Sequence, residues 1–170
     1  MKIVALGSPG SGKTTLMESI DRSFKSLPNK SSKYSTATVF DLVIINDDDR
    51  SIYIYGMTGS ERFDKMRGIV TAGINIGLLV VDSTKSMTDF EKKVLEKLRC
   101  KKIPFLIVAN KIDLPGASIE NIREDCGYDH LIVPISARQG TGVTPLMVMI
   151  HEMIDRFSMV EERGRSLQTL

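Results

Sequence analysis

Apolar residues in this chain gather in short unbroken runs, Ile3–Leu6, Ile76–Val81, Pro104–Ala109 and Leu131–Ile135, each bounded by Gly, Asn, Asp or Ser. Unbroken rather than alternating apolarity is the pattern of parallel strands buried on both faces. Between the runs the apolar spacing changes to three and four: Met17, Ile20 and Phe24; Met66, Ile69 and Val70; Met87, Phe90, Val94 and Leu98; then Leu146, Ile150, Met153, Ile154 and Phe157. Each set lays one stripe along a helix. Val39–Ile45 and Ile52–Tyr55 flank the polar stretch Asn46-Asp47-Asp48-Asp49-Arg50, which predicts an antiparallel hairpin. Alternating strand and helix predict a doubly wound α/β domain: a mostly parallel six-stranded sheet with one antiparallel edge strand and helices on both faces. Ser86-x-x-Asp89 has the form of a capping box, and Thr144 before Pro145 suits an N-cap followed by a first-turn proline. After residue 158 the apolar period is lost, so residues 1–158 read as one domain and 159–170 as a frayed polar tail.

Composition narrows the field without naming a ligand. Lys and Arg number 23 and Asp and Glu 21, a net charge of +2, too small an excess to predict nucleic acid as a partner. A chain of this length buries roughly 70% of its unfolded surface, so it needs neither disulfide nor metal to hold its core. Cys100 and Cys126 lack metal-ligand or framework spacing, and His130 and His151 have no carboxylate or cysteine at ligand spacing, so neither histidine is assigned a role. The nine methionines fall largely on helical stripes and read as core filling. The sequence has no apolar stretch of about 18 residues, no signal peptide, a lysine rather than glycine at position 2 and no cysteine at its C-terminus. A cytoplasmic location without a direct membrane anchor is the expectation.

The chemistry-bearing signal is Gly7-Ser8-Pro9-Gly10-Ser11-Gly12-Lys13-Thr14, a complete G-x-x-x-x-G-K-[ST] between the first strand and the first helix. Glycines let the backbone curl so that its N–H groups converge on phosphate oxygens at the positive end of a helix dipole. Lys13 is positioned to reach the β- and γ-phosphates, the Thr14 hydroxyl to hold Mg²⁺, and Thr15 follows in the first turn. Chance alone gives this pattern in about one chain in a hundred of this length, before its context is counted. The domain is thus a P-loop NTPase in expectation. After a later strand comes Asn110-Lys111-Ile112-Asp113. An aspartate there can accept from both N1–H and the 2-amino group of guanine, which adenine does not offer, while Lys111 can lie along the purine and Asn110 can tie the base loop to the phosphate loop. Ser136-Ala137-Arg138 follows the next strand, where a backbone N–H can donate to guanine O6.

With these loops in this order, residues 2 to about 158 resemble a small GTPase of the Ras superfamily. Tyr55-Gly56-Met57-Thr58-Gly59-Ser60-Glu61-Arg62-Phe63 resembles the family's second switch, Asp-x-x-Gly-Gln-Glu-Arg-Phe, with two departures. Gly56 stands where the family has the aspartate that holds Mg²⁺ through water, and Ser60 where it has the glutamine that positions the attacking water. Loss of the aspartate resembles the gliding-motility (Mgl) type of prokaryotic small GTPases and their archaeal relatives. In the first switch, Ala37 falls where the family has its metal- and γ-phosphate-sensing threonine, leaving Thr36 and Thr38 as alternative metal candidates. Pro9 replaces a loop glycine and removes one N–H. Asp82, closing the run Leu78–Val81, has two readings: a Walker B carboxylate that partly replaces the missing charge, or a residue that shapes the strand-to-helix turn.

The resemblance implies a molecular switch that binds Mg²⁺ with GTP or GDP, has Lys13 and a weak Ser60 as its catalytic pair, and presents residues 28–40 and 56–70 to effector and regulatory proteins. By analogy with the Mgl type, a roadblock-fold activator is implied among them. Slow hydrolysis is the expectation. The competing reading is a hydrolysis-deficient GTP-binding interaction subunit whose nucleotide is structural. A P-loop kinase of a small metabolite, which would bring an arginine-rich lid, finds no support in the sequence.

Overall fold

The computed structural model describes residues 1–26, 31–36, 40–47, 50–57 and 72–167. In chain order the elements are β1 (Lys2–Leu6), α1 (Lys13–Lys25), β2 (Ser31–Thr36), β3 (Phe40–Asp47), β4 (Arg50–Met57), β5 (Ile76–Asp82), α2 (Asp89–Cys100), β6 (Phe105–Asn110), α3 (Ile119–Cys126), β7 (Ile132–Pro134) and α4 (Val143–Leu167). One sheet contains all seven strands in the order β2-β3-β4-β1-β5-β6-β7. β1 pairs in parallel with β4 and β5, and β5, β6 and β7 continue in parallel. Only β3 is reversed, antiparallel to both β2 and β4.

The mostly parallel α/β architecture is the expected one, and the hairpin lies where the polar turn puts it. Among the described residues the sheet nevertheless has seven strands rather than six, and the reversed strand sits one place in from the edge. The added strand, Ser31–Thr36, is Ser-Ser-Lys-Tyr-Ser-Thr, which offers no apolar alternation to read. It forms because the backbone of β3 needs a partner on its outer side, and polar residues on an edge strand also discourage pairing with other chains.

Side-chain alternation along the central strands feeds apolar clusters on both faces of the sheet. On β5, Ile76, Leu78 and Val80 join residues of α1 and α4, including Leu16, Ile20, Leu146 and Ile150. Leu79 and Val81 point the other way, to Leu95 of α2 and Ile122 of α3. Each such fully buried aliphatic side chain is worth roughly 1.5–3 kcal/mol, so the two-sided burial fixes β5 in the interior and leaves the C-terminal ends of β1, β5, β6 and β7 along one rim.

Helix ends differ from expectation in detail. The capping box of α2 is Thr88 with Glu91, two residues beyond Ser86 and Asp89: the Thr88 hydroxyl accepts from the Glu91 N–H (3.2 Å) and the Glu91 carboxylate from the Thr88 N–H (2.8 Å). Glutamate has the length to reach back where Asp89 does not. α4 starts at Val143, ahead of Thr144, which puts Pro145 in the first turn, where its missing N–H has no helical partner to lose. It continues to Leu167, so the backbone past residue 158 is helical where a frayed tail is expected. Loss of an apolar stripe does not by itself end a helix.

Candidate functional site

β1 delivers the chain into the phosphate loop from the middle of the sheet, with β4 on one side and β5 on the other. The open crevice at the strand ends beside such a point is where doubly wound sheets take ligands. Two glycines in the loop are required by space. A Cβ at Gly7 would lie 2.1 Å from the Val80 carbonyl oxygen, and one at Gly12, where φ is +91°, would lie 2.1 Å from Asn110 Nδ2. Pro9 and Gly10 are exposed at the crest. α1 begins at Lys13 without a side-chain cap and with no acidic residue in its first turn, where Thr15 is half-buried. Its first N–H groups therefore remain as donors for an anion.

Lys13 is buried and donates to the carbonyls of Gly7 (2.8 Å) and Ser8 (2.7 Å) and to Ser11 Oγ (3.3 Å). Burial pulls its ammonium down to about pKa 8, against the opposing charges of Glu91 and Asp41. A phosphate would supply the anion this cation lacks. The outer turn of the loop is stitched to α2: the Ser8 N–H donates to Glu91 Oε1 (3.2 Å), and the hydroxyls of Ser8 and Thr88 share a hydrogen bond of 2.6 Å. Sequence reading missed Glu91, though its place three residues after a threonine was a visible signal.

At the other end, Asn110 uses both halves of its amide. Nδ2 donates to the Ser11 carbonyl and Oδ1 accepts from the Ala137 N–H, each at 2.9 Å. Three loops far apart in sequence meet at this one side chain, which is 2% exposed. The Ser136 N–H donates to the Thr141 carbonyl, so both N–H groups of the Ser136-Ala137 pair are engaged within the protein rather than pointing toward a base. Lys111 adopts φ +69°, and its ammonium donates to Asp82 Oδ2 (2.6 Å). Asp82 also accepts from the Thr84 N–H and hydroxyl. Burial would raise its carboxyl, but the bonds from Lys111 and Thr84 outweigh burial and hold it below the ordinary range. Asp82 therefore shapes the turn and braces Lys111, and of its two sequence readings the structure supports this one. Asp113 is half-buried beyond it, and Arg138 is exposed.

The third side of the loop faces β3. Asp41, 8% exposed, accepts from the Thr14 hydroxyl at Oδ2 (2.7 Å) and from the hydroxyls of Thr36 (2.6 Å) and Tyr34 (3.2 Å) at Oδ1. Burial, and then the charge of Asp41, raise the Tyr34 phenol above its ordinary value. In the sequence Asp41 serves only as the residue on which the first switch is aligned, and nothing there gives it a part at the phosphate loop. Thr14 is itself exposed, and an exposed hydroxyl beside a buried carboxylate is a hard-oxygen setting that fits Mg²⁺. No group of three or more His, Cys, Asp or Glu side chains offers another metal site among the described residues. Thr38, Gly59 and Ser60 lie outside the described residues. The histidines stand apart from the site: His130 packs on Phe105 and bonds to Arg99, and His151 stacks on Phe24.

Fold and site together define a GTP-binding P-loop GTPase domain of the small, switch-like kind. Residues 2–113 match the family described as Ras of Complex, Roc, domain of DAPkinase, and the chain belongs to that family. The uncharacterized protein MJ1339 of Methanocaldococcus jannaschii is 31% identical over 132 residues, covering 78% of this chain and 83% of that one. Translation initiation factor IF-2 of Kosmotoga olearia is 28% identical over 159 residues, which is 87% of this chain but 22% of the factor. Among solved structures, translation elongation factor SelB of Methanococcus maripaludis, in complex with the GTP analogue GppNHp, superposes with a TM-score of 0.70 at 20% identity. That match covers 91% of this chain and 34% of SelB, so with SelB and IF-2 the likeness is to a fraction of a longer protein. No helix among the described residues is long and apolar enough to cross a membrane.

Proposed function

We propose that this chain is a slow GTPase switch of the gliding-motility type: it holds GTP or GDP with Mg²⁺, and partner proteins read its nucleotide state through residues 28–40 and 56–70. The carrying observation is the Asn110 side chain, which joins the phosphate loop at Ser11 to the base loop at Ala137. A nucleotide laid across the rim would span both loops at once, with its phosphates at Gly7–Thr15 and its guanine between Lys111, Asp113 and Ser136–Arg138. Thr14, with Thr36 or Thr38, would hold Mg²⁺, which when bound neutralises charge on the phosphate oxygens.

Lys13 exchanges its carbonyl partners for phosphate oxygens and orients them. Ser60, whose side chain is two carbons shorter than the family's glutamine, is too short to hold a water in line with the γ-phosphate. Catalysis here is positioning and charge stabilisation, so intrinsic hydrolysis is slow and an arginine from a partner raises it by ~10³–10⁵-fold. A roadblock-fold activator fits by analogy with the gliding-motility type. The serine at position 60 also favours a second reading, a GTP-binding subunit that does not turn over. Single-turnover hydrolysis on the purified chain, alone and with cell extract, tests both. Slow hydrolysis that extract accelerates supports the switch. No acceleration favours the non-hydrolysing subunit, and a half-life of seconds without a partner contradicts both.

A further inference from the structure

We infer that Asp41, on β3, is the carboxylate that holds the divalent cation's water shell, in place of the aspartate that relatives carry on β4 at the position of Gly56. The inference rests on the nucleotide reading above and adds to it the residue that completes the metal site.

Four observations converge on Asp41. Register puts Asp41 directly opposite Gly56 across the β3–β4 pair, and directly opposed residues on antiparallel strands project from the same face. A Cβ built on Gly56 would lie 3.4 Å from Asp41 Cβ and 3.6 Å from Asp41 Oδ2. The carboxylate therefore lies in van der Waals contact with the place a residue 56 side chain would take. Oδ2 also accepts from the Thr14 hydroxyl at 2.7 Å, which is the phosphate-loop oxygen positioned to ligate the cation. Finally, its hydrogen-bond partners are three neutral hydroxyls: Thr14, Thr36 and Tyr34. Lys13 lies close enough to feel its charge without bonding to it, and no lysine or arginine among the described residues forms an ion pair with it. A buried carboxylate supported only by hydroxyls is expensive unless a cation joins it. Glycine at position 56 is on this account an accommodation: with Asp41 already in place, a second carboxylate there would face it at contact distance.

This arrangement would hold more firmly a metal that Gly56 alone would leave loosely held. It also makes the single reversion unfavourable. Gly56→Asp in the presence of Asp41 sets two anions opposite each other, with Met17 Cγ 3.2 Å from the new Cβ.

The test is release of a fluorescent GDP analogue from the full chain as free Mg²⁺ is varied, each variant normalised to its own release rate in EDTA. Asp41→Asn should raise the Mg²⁺ concentration for half-maximal slowing at least tenfold, and Asp41→Asn with Gly56→Asp should recover most of that shift. Thermal melting gives a second readout that does not need Asp41→Asn to fold. Gly56→Asp should melt lower than the wild type in EDTA with GDP and gain more than the wild type from added Mg²⁺. An unshifted Mg²⁺ dependence in Asp41→Asn overturns the inference while leaving GDP binding intact, as does a Gly56→Asp protein whose melting responds to Mg²⁺ like the wild type. Failure of the wild type to bind GDP overturns the nucleotide reading and this inference with it.

Discussion

The phosphate loop is held on two flanks by opposite means. Toward β6 it meets Asn110, a neutral amide whose donor and acceptor are both used on backbone groups. Toward β3 it meets Asp41, a buried anion whose partners are all hydroxyls. A neutral bridge with both its nitrogen and its oxygen engaged on backbone acts as a fixture. An anion among hydroxyls leaves room for a cation, and that flank is the one expected to change when Mg²⁺ arrives. The asymmetry also explains why the base side keeps its motif to the letter while the metal side departs from it: three loops converge on the single side chain of Asn110, whereas a carboxylate can approach Thr14 from either of two paired strands.

Breaking the center between the flanks should have the largest effect. Lys13→Ala removes the ammonium proposed to exchange its carbonyl partners for phosphate and should weaken GDP binding by ~10³-fold or more. Its fold should survive, with far-UV circular dichroism unchanged, because the lost contacts are hydrogen bonds at the loop rather than core packing. Next comes the neutral flank. Asn110→Ala leaves the Ser11 carbonyl and the Ala137 N–H unpaired in a buried place, at about 1–3 kcal/mol each. Denaturant midpoints should fall accordingly, and GDP affinity should fall with them, since phosphate and base loops lose their common anchor.

A pH titration sharpens the contrast without mutation. Lys13 is lowered to about 8 from an ordinary 10.5. Between about pH 7 and 8 it is charged both free and phosphate-bound, and the nucleotide phosphate, which protonates at about pH 6, is still fully ionised, so GDP affinity should be flat there. As pH rises through 8, the free protein loses its proton first and affinity should fall, by up to tenfold per pH unit. Stability of the nucleotide-free protein should move oppositely. The cost of the buried ammonium is fully present below about pH 8 and is relieved as pH rises from there toward 10.5. The smallest effect belongs to the stitch at Glu91. Glu91→Gln keeps the shape but weakens the charge-assisted bonds from the N–H groups of Ser8 and Thr88, for about 1 kcal/mol in chemical denaturation.

What the sequence makes legible follows from what dominates each region. The two-sided apolar runs of β1, β5 and β6 leave one solution, so the parallel core was readable. Gly7, Gly12 and Asn110 were readable because steric and hydrogen-bond demands converge on them from several loops. β2 was not, since an edge strand forms through backbone pairing and its side chains carry no period. Asp41 was hidden for a different reason. Its part depends on register across β3 and β4, and a reading along one strand sees the gap at Gly56 but not the carboxylate opposite. Glu91 lay in plain view in a capping pattern, but its second contact, to Ser8, is tertiary.

The central claim is that the two flanks enclose a guanine nucleotide. Competition of GTP, GDP, ATP and XTP for the purified chain, beside its Asp113→Asn variant, tests it most directly. The account predicts that GTP and GDP outcompete ATP by at least 10³-fold, because adenine leaves the Asp113 carboxylate without its donors, and that Asp113→Asn shifts the preference toward XTP. Equal competition by ATP and GTP would contradict it.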